Sequence, residues 1–122
     1  MTIDFSEVNK LKIAEVIADD IVLRSTEDAL AILGDLYFQE VDRLLIYERS
    51  IIPIFFDLKS RIAGDILQKF TQYQMPVSII GDFSNYESKS LREFIFESNR
   101  GKQIHFCGTK VEAIEMANRL KK

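Results

Sequence analysis

The stretch Val77 to Gly101, VSIIGDFSNYESKSLREFIFESNRG, constrains the fold more than any other part of the chain. Val77 to Ile80 is a short, nearly unbroken apolar run, which reads as a strand buried on both faces. Pro76, just before it, keeps a preceding helix from running into it. Gly81-Asp82 ends the run and a polar turn follows. A helix then begins near Tyr86 or Ser88 and stops by Asn99, with Gly101 as a natural C-terminal cap. Ser84 with Glu87 and Ser90 with Glu93 both spell the S-x-x-E capping box, and only one can mark the start. A buried strand feeding a helix through a polar turn is the building unit of a parallel sheet. In open α/β sheets, ligands and partners meet the protein at such junctions.

The same unit recurs along the chain. Residues 12 to 17 (KIAEVI) and 20 to 24 (DIVLR) read as two strands of a hairpin about Ala18-Asp19, and residues 1 to 10 as an edge strand or arm. A helix is expected from Thr26 to Gln39. Ser25 caps it, Glu27 and Asp28 sit in its first turn, and Ala29, Leu30, Ile32, Leu33, Leu36 and Tyr37 form an apolar stripe. Residues 43 to 48 (RLLIYE) read as a buried strand, and residues 53 to 73 as a helix opening on Pro53. Gly64 lies inside that helix, where it costs about 1 kcal/mol against alanine, so close packing of another element is expected there. Ile104 to Cys107 is a last strand, and Thr109 with Glu112 opens a final helix to about Leu120. The order β-β-α-β-α-β-α-β-α predicts an α/β fold: a single mixed, mainly parallel five-stranded sheet with an N-terminal hairpin and about four helices.

Composition fits one such domain, covering residues 11 to 122 behind the N-terminal segment. A chain of 122 residues with 47% hydrophobic and 29% charged residues can fill one core as an ordinary soluble globule. The net charge of −3 speaks against a nucleic-acid partner. The single cysteine, Cys107, cannot form an internal disulfide and so favours a reducing compartment. The N-terminus lacks the pattern of a secretory signal, and no apolar run approaches the roughly eighteen residues of a membrane span. A cytoplasmic location without membrane contact follows.

Candidate chemistry is thin. Asp82, after its strand, is placed to present an acid but has no second carboxylate nearby in sequence. Ser84, Ser88, Ser90, Lys89 and Arg92 crowd one helix start, where free N–H groups favour phosphate or carboxylate. No GxGxxG or GxxxxGK[ST] loop accompanies them, so no nucleotide cofactor is expected. His105 and Cys107 form a His-x-Cys pair, too few ligands for zinc and without a catalytic signature around the thiol. Phe5, Phe55, Phe56 and Phe96, with the apolar run Ile51 to Phe56, serve either a core wrapped on both sides or a partner surface.

The phrases FFDLKSRIAGDILQKF (Phe55 to Phe70), GDFSNYESKSLREFIFESNRG (Gly81 to Gly101) and KIAEVIADDIVLRSTEDAL (Lys12 to Leu30) resemble a family of small bacterial proteins built on a domain of unknown function. The element order is similar to that of STAS domains, the fold of anti-sigma-factor antagonists. That likeness implies docking onto a protein partner and switching by phosphorylation of a serine or threonine at the helix after the third strand. The matching stretch is Phe56-Asp57-Leu58-Lys59-Ser60, which lacks the family's glycine and displaces the serine; Ser60 is the corresponding phosphosite.

The leading expectation is a cytosolic, non-enzymatic regulatory module that binds a protein through Ile54, Phe55, Phe56, Asp57, Lys59, Ser60, Asp82 and Phe83. In a parallel sheet the two segments leave at the same end and become neighbours. The alternative is a small-ligand or phosphate-binding protein, or an unrecognised enzyme, whose pocket takes Asp82, Ser84, Ser88, Lys89, Arg92 and Asn99. A homodimer built on the phenylalanines is a third reading. No metal site is expected.

Overall fold

The computed structural model of the chain describes residues 1–120. Among these, five strands form one sheet in the order β1 (Thr2–Val8), β2 (Leu11–Ile17), β3 (Arg43–Tyr47), β4 (Val77–Ile80) and β5 (Ile104–Cys107). The first pair is antiparallel and the rest are parallel. Four α-helices connect or follow them: α1 (Thr26–Leu36), α2 (Ile62–Gln72), α3 (Lys89–Arg100) and α4 (Lys110–Arg119).

The hairpin lies earlier in the chain than the sequence suggests. Its turn is Asn9-Lys10, both with positive φ (52° and 68°), so Val8 and Leu11 close a two-residue loop whose twist suits antiparallel strands. Residues 20 to 24 therefore form no second hairpin strand. They cross the end of β3, where Val22 and Leu23 donate to the Ser50 carbonyl and Ile52 donates back to Leu23. This crossing buries Leu23.

The helix boundaries follow local chemistry. Ser25 caps α1 through the Asp28 amide and Thr109 caps α4 through the Glu112 amide. The cap of α3 is Ser88, whose hydroxyl accepts from the Leu91 amide, so neither S-x-x-E box marks its start. Helix α1 ends at Leu36, and Phe38 in the turn beyond is 87% exposed. The helix expected from residue 53 starts only at Ile62. Before it, Pro53–Phe56 and Leu58–Ser60 make two short 3-10 turns, and Arg61 at φ 66° breaks the helical path. Those turns drive Phe55 and Phe56 into the core. A Cβ at Gly64 would meet nothing within 4 Å, so the close packing expected there is absent, and nothing in the structure explains the glycine.

The two sheet faces differ. Ala14, Val16, Leu44, Ile46, Val77, Ile79 and Phe106 face α1, α2 and α3 in one large apolar core. The opposite face is packed by α4 through Ala113 and Ala117 against Ile13, Leu45, Ile80 and Cys107. Polar side chains fill the remainder. Arg43 is buried and donates to the Val77 carbonyl, the Ser78 hydroxyl and the Lys102 carbonyl. Burial pulls its pKa down to about 10, leaving it charged at neutral pH. Burial pushes the Glu15 carboxyl up, but hydrogen bonds from Lys110 and Tyr47 and the charges of Lys110 and Arg49 outweigh it, so the net shift is downward.

His105 is buried on this face. Its Nε2 meets the Gly101 carbonyl at 2.9 Å, and its Nδ1 has no hydrogen-bond partner among the described residues. Burial lowers its pKa; the Gly101 bond opposes this, and the charges of Arg43 and Arg119 add to it. Below the ordinary histidine pKa of about 6.5, the unfolded chain therefore takes up a proton that the folded chain resists. Stability is complete above that pH and falls as acid is added. Urea midpoints at about pH 5.5 and about pH 7.5 should differ less in His105→Gln than in the wild type. An unchanged pH dependence would remove His105 as its source.

Candidate functional site

Because β3, β4 and β5 run parallel, their following loops emerge at one rim of the sheet. The segment after β3 and the loop after β4 meet there. Glu48, directly after β3, joins them: its Oε1 accepts from the Asp82 amide at 3.2 Å and its Oε2 accepts from the Tyr86 hydroxyl. Burial and then the Glu48 carboxylate push the Tyr86 phenol well above its ordinary pKa. A carboxylate with both oxygens engaged in this way acts as a clamp on the loop.

Gly81 makes this approach possible. A Cβ there would stand 2.5 Å from Glu48 Oε1 and 2.6 Å from Glu48 Cβ. The requirement is one of space, since no glycine in the described residues has a positive φ. Asp82 shapes the turn rather than presenting an acid. Its Oδ1 accepts from both the amide and the hydroxyl of Ser84, which hold its pKa below the usual carboxylate range. Phe83 reaches inward, its ring 5.8 Å from Phe56 and 5.3 Å from Phe106, and Tyr86 lies 5.2 Å from Phe56. The two segments singled out in the sequence are thus neighbours, joined by a carboxylate at the surface and an aromatic cluster beneath.

The predicted site residues divide between surface and core. Ile54 is 45% exposed, whereas Phe55 and Phe56 are buried and cannot anchor a partner from where they sit. Phe83 is half-buried in the same cluster. Asp57 accepts from the Lys59 amide, and both are exposed. Ser60 is fully engaged: its one hydroxyl proton faces the Asp57 carbonyl at 2.7 Å and the Ile54 carbonyl at 3.0 Å, and its oxygen accepts from the Ile62 amide.

The residues of the alternative pocket fall into separate groups: Asp82 holds Ser84, and Lys89 and Arg92 line a concavity of about 380 Å³ with Glu93, Phe96 and Glu97. Lys89 pairs with Glu93 at 3.9 Å, Arg92 donates to the Glu87 carbonyl, and the Ser88 hydroxyl is spent on its cap. Asn99, at the other end of α3, clamps both backbone groups of Phe106. His105 and Cys107 also act separately. The Cys107 thiol, pushed up to about 11 by burial and then by Glu112, lies 3.4 Å from the Met116 sulfur. Among the described residues, no cluster of three or more His, Cys, Asp or Glu could hold a metal, and no helix is long and apolar enough to cross a membrane.

Two concavities flank Glu48. One of about 390 Å³ runs between Tyr47, Arg49, Asp82, Gly108, Thr109 and Lys110. The other, of about 310 Å³, lies between Ile21, Ile51, Pro53, Phe56 and Tyr86. The Arg49 guanidinium stacks 4.4 Å above the Tyr47 ring between them. Glu48 is the residue that sequence reasoning missed; the one available signal was a charged residue placed directly after a buried strand.

Residues 8–117 match the family model described as a domain of unknown function, DUF4180. The chain belongs to the DUF4180 family. No curated protein and no solved structure matches it. The match takes in β2 through most of α4, and with them Glu48, Gly81 and Tyr86 of the rim.

Gly81 in the rim and Gly64 in α2 should respond in opposite ways to alanine. Gly81→Ala should cost about 1–3 kcal/mol, since Glu48 must move, whereas Gly64→Ala should gain about 0.4–1 kcal/mol through reduced freedom of the unfolded chain. Urea denaturation of the two variants checks this, and equal effects would contradict it.

Proposed function

We propose that this domain is a cytosolic, non-enzymatic regulatory module that binds another protein through the rim formed by residues 51 to 60 and 81 to 88. The observation that carries this is the Glu48 clamp. It fixes an otherwise polar loop beside exposed Ile21 and against the segment that carries exposed Ile54, so the surface is pre-organised and pays little ordering entropy when a partner arrives. Three charged groups at or beside the rim are engaged in structure: Glu48 with the loop, Asp82 with Ser84, Lys110 with Glu15. The STAS-like element order favours the same reading by analogy.

Ser60 is the natural place for regulation. A phosphate on its oxygen would remove the one proton it shares between the Asp57 and Ile54 carbonyls, and would set nearly two negative charges beside Ile54. The exposed apolar residue of the rim would then move or become charged over. A small-molecule site at the same rim is the second reading, favoured by the concavity between Tyr47 and Lys110.

Affinity capture from host extract with wild-type, Ile54→Asp and Phe38→Ser baits separates these. Phe38 lies in the turn before β3, at the opposite end of the sheet from the rim. Proteins retained by the wild type and by Phe38→Ser but lost with Ile54→Asp are the expected result. Capture indifferent to Ile54→Asp, or a small molecule retained on the bait in place of protein, would contradict it.

A further inference from the structure

The outer edge of β1 pairs with no strand among the described residues, and its chemistry specifies what would pair with it. In a two-residue hairpin loop, the residues closing the turn exchange hydrogen bonds, and bonded and non-bonded pairs then alternate along the ladder. Val8 and Leu11 close this turn, so Ser6–Ile13 and Asp4–Glu15 are also bonded pairs. Glu7–Lys12, Phe5–Ala14 and Ile3–Val16 are the non-bonded ones. An independent observation agrees: the Lys12 amide and carbonyl are both engaged by Asp42 on the other side, not by β1. The backbone N–H and C=O groups of Ile3, Phe5 and Glu7 therefore point outward from the sheet.

Proteins blunt such edges with charged side chains, lysine above all, with proline or with a bulge; the two charges of β1 are Asp4 and Glu7. Residues 2–8 contain no lysine and no proline, and their pairing runs without a bulge. Phe5, 42% exposed, sits at the centre. The edge is also self-complementary in a single register. A two-fold axis perpendicular to the sheet pairs residues of the same face, so it must pass midway between the two copies of one residue. Through Asp4, it would set two like carboxylates directly opposite each other, which is destabilising. Through Ser6, it would oppose Ile3 with Asn9, which has already turned out of the strand. Through Phe5, Ile3 meets Glu7 of the second copy, Phe5 meets Phe5, and all three outward residues exchange about six backbone hydrogen bonds. Asp4 then lies opposite the Ser6 hydroxyl, which can donate to it, and Glu7 keeps Lys12 opposite it across the hairpin.

The geometry points to a symmetric dimer in which β1 pairs antiparallel with β1 of a second copy, centred on Phe5, to make one continuous sheet. This surface is separate from the rim and stands whether or not the rim binds a protein. The dimer would present two rims on one rigid body.

Sedimentation equilibrium gives the first test. The wild type should show about twice the 14.1 kDa chain mass in a concentration-dependent equilibrium. Phe5→Pro should show the single-chain mass with unchanged circular dichroism, because the lost N–H faces outward and proline is tolerated on an edge. Register is tested by cysteines under mild oxidant, with opposed Cα atoms about 5.5 Å apart and within disulfide reach. Phe5→Cys should cross-link with itself, whereas Ile3→Cys and Glu7→Cys should cross-link only when the two variants are mixed. A wild type that stays monomeric at every concentration, a dimer that survives Phe5→Pro, or cross-links in another pattern would each overturn the proposal.

Discussion

Strands β2 to β5 are laid down side by side in chain order, all parallel, and this constraint governs the rest of the molecule. Connections of one hand that always step in one direction leave their helices on one face. That face receives α1, α2 and α3 and is thoroughly apolar. The other face receives a helix only after the last strand, and the ten residues of α4 cannot dry all of it. Polar side chains complete it, and two of them are well partnered. Arg43 spends its donors on carbonyls and a hydroxyl, and Glu15 is held by Lys110 and Tyr47.

The same constraint gathers the four connections that follow β2, β3, β4 and β5 at one rim. Loops tend to be mobile, and two residues far apart in sequence tie this rim together. Glu48 supplies acceptors to the Asp82 amide and the Tyr86 hydroxyl, and Gly81 removes the side chain that would hold Glu48 away. Phe56, Phe83, Tyr86 and Phe106 fill the space beneath. Neither segment would hold its conformation alone: the residues 53 to 60 form only 3-10 turns, and residues 81 to 88 have no regular structure.

What was legible in the sequence is what local chemistry determines. The runs around Leu44, Ile79 and Phe106 announced buried strands, and Ser25 and Thr109 announced helix starts. The parallel arrangement followed, and with it the meeting of the two loops. The hairpin was misplaced because its turn uses Lys10 at positive φ, a residue that gives no turn signal, while Ala18-Asp19 gives a stronger one. The start of α3 was ambiguous because three serines stand within seven residues of sequence, and only packing of Leu91 selects Ser88. Phe55 and Phe56 read equally as core or surface until the chain's path after β3 was known. The roles of Asn99 and Glu48 were beyond reach for one reason: each bonds to a backbone or side chain whose position depends on the sheet already being formed.

Amide hydrogen exchange across residues 81 to 88 tests the clamp most directly. The Asp82 amide should be protected in the wild type and exchange at the rate of open chain in Glu48→Ala, while the amides of β3, β4 and β5 keep their protection. Free exchange of Asp82 in the wild type, or protection that survives the loss of Glu48, would contradict the account of the rim as a pre-organised surface.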